Sequence, residues 1–252
     1  MTYSYSESRD KSLQDILSSS TYNVANPSLL KAIGALGEAT THCAIILSNY
    51  VDHSKAYAGT QNKSGDDQLH LDIDCDDAVF GALRQSKVFG IAASEETPVE
   101  TKVYEKEEDA IYNIGFDPLD GSSIIDANFS VGSIYGIWPR TTEKQGVLQR
   151  TGREQICSAM ALYGPRTTLC IALTPEAQDT PDSKPIVLEV TLVNDRTVWK
   201  LSRESITLKP DGKVFAPGNL RASNDNEKYS SLIQHWIENR YTLRYSGGMV
   251  PG

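Results

Sequence analysis

Two short apolar runs constrain this chain more than any other feature. VFGIAAS, residues 88–94, runs straight into Glu95-Glu96, and AIYNIGF, 110–116, runs straight into Asp117. Each is of strand length and carries apolar side chains on both faces, so it predicts an inner strand of a sheet covered on both sides. An acid at the exit of each strand is then the point of interest, because strand ends gather naturally at one edge of a sheet.

The remaining pattern fills in that layered picture. Asn26-Pro27 predicts a helix start, with Asn as N-cap and Pro in the first turn. Leu29, Leu30, Ile33 and Leu36, then Ile45 and Ile46, continue at helical spacing. Residues 53–65 are polar, contain Gly and lack a period, which predicts a mobile loop. QLHLDID, 68–74, alternates like a strand, with Asp76 or Asp77 capping a helix to about Gln85. VGSIYGIW at 131–138 and TTLCIAL at 167–173 predict strands around a helix near 153–163. After a Pro- and Asp-rich link at 174–185 come two more strands, IVLEVTLV and TVWKL, and a helix near 226–239. Strands alternating with helices in this way predict a layered α/β or α+β architecture.

Composition closes several other possibilities. No stretch of about 18 consecutive apolar residues occurs, so no bilayer span is expected. With 24 basic and 33 acidic side chains the net charge is −9, and the basic residues are scattered, which argues against a nucleic-acid partner. Cys43, Cys75, Cys157 and Cys170 form no CxxC pair and read as reduced thiols. The Ser-rich N-terminus holds Glu7, Asp10 and Asp15 and no apolar h-region, so neither a secretory signal nor a transit peptide is expected. A cytoplasmic protein follows from these readings.

The acids define the chemistry. Asp66 and Asp72, Glu95-Glu96, and Asp117 with Asp120 all stand at loops or strand ends. Two carboxylates about 4 Å apart repel by about 4 kcal/mol at an effective dielectric of about 20. A converged group therefore needs cations or binds protons. All-oxygen donors without clustered His or Cys suit a hard ion, Mg2+ or Mn2+. Gly121-Ser122-Ser123 would then offer backbone N–H groups to a phosphate. Each piece alone also has an ordinary reading: DPLDG as a turn, Glu95-Glu96 as a solvated loop, LDIDCDD as a favourable helix start. As an EF-hand the last fails, because Asp77 stands where Gly is needed and Leu83 where Glu is needed. His42, His53, His70 and His235 form no HExxH, and no GxSxG, GxxxxGK[ST] or strand-following GxGxxG is present.

GFDPLDGSSIIDANFSVGSIYGIW resembles the signature of the fructose-1,6-bisphosphatase and sedoheptulose-1,7-bisphosphatase family. SGDDQLHLD, ASEE, TGREQICSAMALYGPRTT, FAPGNLRASNDNEKY and YTLRYSGGMVP have counterparts in the same order, so the likeness covers about residues 28 to 251. YGPRTT, PGNLRA and LRYSGGMVP resemble the sedoheptulose branch more closely. The resemblance implies a layered α-β-α-β-α sugar-phosphatase fold. It divides the chain into a flexible segment 1–25, a metal-binding phosphatase domain 26–195, and the start of a sugar-phosphate-binding domain at 196–252. The family continues beyond the position of Gly252, so the second domain is expected to be truncated here.

The implied reaction is hydrolysis of the 1-phosphate of a ketose bisphosphate, sedoheptulose 1,7-bisphosphate before fructose 1,6-bisphosphate, by water activated on two or more Mg2+ or Mn2+ ions. Glu95, Glu96, Asp117, Asp120 and the Leu119 carbonyl match the family's metal ligands. Asp72, Glu96, Asp66 and Asn62 match the groups that serve the attacking water. Asp120, Gly121, Ser122 and Ser123 match the cradle of the cleaved phosphate. Asn219, Arg244, Tyr245 and Met249 match the sugar and distal-phosphate pocket, the arginine reaching into a neighbouring subunit of a homodimer or homotetramer. AYAGTQN, 56–62, lacks the cysteine pair of plant chloroplast members, and no Gly-Thr-Gly-Glu precedes the first long helix, so neither thioredoxin control through that pair nor AMP inhibition is expected. An inactive relative acting through a longer subunit, and an inositol- or adenosine-phosphate phosphatase, are the alternatives.

Overall fold

The computed structural model describes residues 12–19, 21–51, 57–61, 67–97, 99–104, 106, 109–141, 146–148, 150–178, 184–193, 196, 198–217 and 219–244. Helix α1 spans Leu13–Leu17, α2 Pro27–Ser48, α3 His70–Ser86 and α4 Glu227–Glu238. Strands β1 (Tyr57–Gln61) and β2 (Asp67–Leu69) pair with each other. Strands β3 (Phe89–Ser94), β4 (Thr101–Lys102), β5 (Tyr112–Asp120), β6 (Val131–Pro139), β7 (Cys157–Tyr163), β8 (Thr167–Leu173), β9 (Ile186–Val193) and β10 (Val198–Arg203) make one sheet in the order β10-β9-β8-β7-β6-β5-β3-β4. β11 (Val214–Phe215) and β12 (Thr242–Leu243) form a small parallel pair.

Within the large sheet every described neighbour pair is antiparallel except β3 and β5, which run parallel. That exception sets the position of the site. Parallel neighbours end at the same edge, so whatever follows β3 stands beside whatever ends β5.

The long helix begins as its sequence predicts. Asn26 accepts from the N–H groups of Ser28 and Leu29 at 3.0 and 3.1 Å, and Pro27 occupies the first turn, where its missing N–H costs nothing. By length and apolar composition alone α2 could cross a bilayer. It is instead a core helix: Leu29, Ile33 and Leu36 are fully buried, and α2 packs on α3 and over β7 and β8.

Two local expectations are corrected, besides the loop reading of 53–65, which contains strand β1 at Tyr57–Gln61 and otherwise lies outside the described residues. The segment near 153–163 is not helical. After a short 3-10 turn at Gly152–Glu154, CSAMALY is strand β7, its burial alternating residue by residue. Ala, Met and Leu favour helix intrinsically, but a slot between β6 and β8 overrides that preference. The second correction concerns QLHLDID, whose strand stops at Leu69. Helix α3 starts at His70, not at Asp76 or Asp77. Leu71, Cys75, Val79, Phe80 and Leu83 are its buried stripe, so the short period-two pattern was the opening of a longer helical one.

Candidate active site

The β3–β5 pair builds the centre of the site. Ser94 lies opposite Phe116, and the Glu95 N–H donates to the Phe116 carbonyl at 3.1 Å. Glu95 is thereby locked next to Asp117. Phe116 anchors this edge from below, its ring meeting Phe80 of α3 edge-on at a centroid distance of 5.4 Å.

Beyond Asp117 the strand bulges. Asp117 is paired with Ile134 and Asp120 with Gly132, so Pro118 and Leu119 of β5 stand opposite the single residue Ser133 of β6. A bulge is also where an inner strand can accept a Pro, which has no N–H for the ladder. The Asp117 carboxylate accepts from the Leu119 N–H at 2.9 Å, an Asx turn that fixes its direction. Gly121 then turns with φ at 86°, in the left-handed region that glycine adopts without strain, and a 3-10 turn Ser122–Ala127 follows.

Helix α3 supplies the other wall. Asp72 and Asp76 are one turn apart on its buried face, with Asp72 only 2% exposed. Asp76 accepts from the hydroxyls of Ser94 at 2.5 Å and Thr97 at 2.9 Å, and Ser94 Oγ also accepts from the Glu96 N–H at 3.2 Å. Asp76 is thus the brace of the Glu95-Glu96 turn. The helix-cap reading of Asp76 missed this; its spacing of four from Asp72 was the available signal.

The electrostatics record the convergence. The Asp117 carboxyl is pushed up from an ordinary value of 3.8 to about 7. Burial is the largest cause, the Glu95 charge the next, and the Asp120 and Glu96 charges add to them, against the lowering effect of the Leu119 N–H. Asp76 is also raised, chiefly by burial and in spite of the Ser94 and Thr97 hydrogen bonds. Among the described residues no three Asp, Glu, His or Cys side chains stand close enough to hold an ion as they are placed. The donor set itself fits a hard divalent cation: the carboxylates repel one another, and added positive charge opposes the burial and repulsion that raise Asp117.

Of the residues singled out from the sequence, Asp72, Glu95, Glu96, Asp117, Leu119, Asp120, Gly121, Ser122 and Ser123 all lie on this edge or on the helix packed against it. Asn219 and Arg244 are on the unit built around β11 and β12. Asn219 caps the 3-10 turn Leu220–Asn224, and the exposed Arg244 donates its backbone N–H to the Phe215 carbonyl at 2.9 Å. Asn62, Asp66, Tyr245 and Met249 lie outside the described residues.

A helix-backed mixed sheet with acids at the ends of its one parallel pair is the fold of a sugar-phosphatase-like protein. The family model described as fructose-1-6-bisphosphatase, N-terminal domain, matches residues 28–178, and that described as the C-terminal domain matches 208–252. The chain belongs to the fructose-1,6-bisphosphatase family.

Relatives divide between two names. The chloroplastic sedoheptulose-1,7-bisphosphatase of Spinacia oleracea is 40% identical over 242 residues, which is 95% of this chain and 57% of that protein. The class 1 fructose-1,6-bisphosphatase of Geobacter sulfurreducens is 38% identical over 198 residues, 77% of this chain and 56% of that one. A Toxoplasma gondii crystal structure assigned as a sedoheptulose-1,7 bisphosphatase superimposes with a TM-score of 0.79 at 32% identity, covering 96% of this chain and 73% of that one. The chain spans about half the length of the curated relatives it matches. Enzymes of this family are generally metal-dependent.

Proposed function

We propose that this chain carries the phosphatase half of a sugar bisphosphatase, a phosphoric monoester hydrolase that removes the 1-phosphate of a ketose bisphosphate. Sedoheptulose 1,7-bisphosphate is the preferred substrate, with fructose 1,6-bisphosphate second. The observation that carries this reading is the Glu95 N–H donated to the Phe116 carbonyl at 3.1 Å across the parallel β3–β5 pair, which sets Glu95-Glu96 beside Asp117 at one sheet edge, with Asp120 three residues further on. A structural turn has no use for four acids that repel one another.

Glu95, Glu96, Asp117, Asp120 and the Leu119 carbonyl would hold Mg2+ or Mn2+, two or more ions. Bound there, such ions neutralise phosphoryl oxygens and make water acidic enough to serve as nucleophile at neutral pH. Asp72, held inside on the first turn of α3, would take the proton of the attacking water, with Glu96, Asp66 and Asn62 assisting its activation. Gly121, Ser122 and Ser123 orient the cleaved phosphate through N–H and hydroxyl groups beside Asp120. Asn219, Arg244, Tyr245 and Met249 hold the sugar and its distal phosphate, and the positive Arg244 answers a phosphate that a chain of charge −9 would otherwise repel. On this reading residues 26–195 form the phosphatase domain and 196–252 begin the sugar-phosphate domain of a cytoplasmic homo-oligomer.

Phosphate release from sedoheptulose 1,7-bisphosphate, measured against added Mg2+, tests the proposal. Asp120→Ala is expected to abolish metal-dependent release, and unchanged turnover overturns the reading. The same assay with fructose 1,6-bisphosphate separates the two substrates.

A further inference from the structure

The bulge that separates Asp117 from Asp120 sets Pro118 and Leu119 opposite the single residue Ser133, with the Pro118 carbonyl inside the protein. A buried carbonyl needs a donor. Ser133, the one residue facing the bulge and fully buried, supplies it: its Oγ–H donates to the Pro118 carbonyl at 2.7 Å. A serine hydroxyl has one proton and two lone pairs. With that proton committed to Pro118, the second contact of Ser133 Oγ, to Tyr163 Oη at 2.7 Å, has one direction only: the tyrosine donates and the serine accepts.

The tyrosine is placed for this by the sheet. Ser133 of β6 lies opposite Ala161 of β7, so Tyr163, two residues on, is its diagonal neighbour on the same face. Burial raises the Tyr163 hydroxyl well above its ordinary range, which keeps it protonated and able to donate at any physiological pH.

We infer that Ser133 and Tyr163 are positioning residues: the directed chain Tyr163 Oη–H to Ser133 Oγ–H to Pro118 carbonyl sets the bulge that spaces the Asp117 and Asp120 carboxylates. The inference rests on the proposed metal-dependent site. Ser133 is fully buried and Tyr163 nearly so, and on this inference both act through position rather than chemistry. Their effect passes through one carbonyl midway between two acids. Groups that orient metal ligands from behind typically change metal affinity by about 10- to 100-fold when removed.

The test is Mn2+ binding by the full chain, prepared metal-free, with free Mn2+ followed by electron paramagnetic resonance. Turnover is not needed. Ser133→Ala is expected to weaken Mn2+ binding by roughly 10-fold or more, at a temperature where its near-ultraviolet circular dichroism is native. Ser133→Thr, which keeps the hydroxyl, is expected to stay near the parent affinity, and Tyr163→Phe to fall between. A folded Ser133→Ala protein that binds Mn2+ like the parent overturns the inference, as does a Ser133→Thr protein as weak as Ser133→Ala. Should Ser133→Ala fail to fold, Tyr163→Phe decides, and an unchanged affinity there is the overturning result. A parent chain that takes up no Mn2+ overturns the proposed site itself, and this inference with it.

Discussion

The carboxylate edge of the large sheet and the unit from β11 to β12 are built by opposite means. On the carboxylate edge, β5 is buried along most of its length, and Asp117, Asp76 and Pro118 are each held by a hydrogen bond from a neighbouring element or turn. In the other unit, α4 has no buried residue, and among the described residues ring contacts carry the packing, Phe215 on Trp236 with centroids 4.9 Å apart and His235 on Tyr241 at 6.2 Å. Groups that must be brought together against their mutual repulsion need a rigid, well-packed support. The contrast teaches that the charge penalty of the first region is sustained by the core beneath it.

The largest expected effect tests that dependence directly. Phe116 is the floor of the carboxylate edge and contacts Phe80 across the helix–sheet interface. Phe116→Ala is expected to cost about 3–5 kcal/mol, read as a fall of roughly 10 °C in Tm for a chain of this size. A loss under about 1 kcal/mol would break the comparison, because the acids would then not be standing on the core.

The next effect is electrostatic, and its sign runs against habit. Burial, and after it the Glu95 charge, pushes the Asp117 carboxyl up in the fold to about 7 from the ordinary 3.8. Between those values the folded state binds the extra proton, so this group's contribution to stability is lost as pH rises from about 4 to about 7. With about three pH units between the two, the ceiling is of order 4 kcal/mol for the metal-free chain. Asp117→Asn is therefore expected to raise Tm at pH 8, to flatten stability between pH 4 and pH 7, and to weaken Mg2+ binding. Chemical denaturation at several pH values, with and without Mg2+, measures all three. An unaltered pH profile would mean that neither burial nor the Glu95 charge raises Asp117.

Much of this site was legible in the chain, and the missing part has a definite physical reason. Asn26-Pro27 announces its helix locally, because a cap needs only its own neighbours. Acids at the ends of apolar strands could be read the same way for Glu95 and Asp117. Their adjacency could not: it depends on β3 and β5 being parallel neighbours, a matter of topology with no local mark. Ser133 and Tyr163 were invisible for the same reason, since a serine in a strand looks ordinary until a bulge stands opposite it. CSAMALY misled because its intrinsic preference and its place in the sheet disagree, and the sheet wins.

The smallest effect is the one expected from the exposed unit. Ile237 is 59% exposed near the end of α4, a helix with no buried residue. Truncating an exposed side chain removes little burial, and the change in helix preference from Ile to Ser is slight. Ile237→Ser is accordingly expected to alter stability by no more than about 0.5 kcal/mol, against several for Phe116→Ala. Equilibrium urea unfolding resolves that difference if the midpoint shifts while the slope stays constant. A cost above about 2 kcal/mol would place Ile237 under cover in solution, since only a buried aliphatic side chain carries that much. The contrast between a core-built and a surface-built region would then vanish, and α4 would have to be counted with the buried half of the molecule.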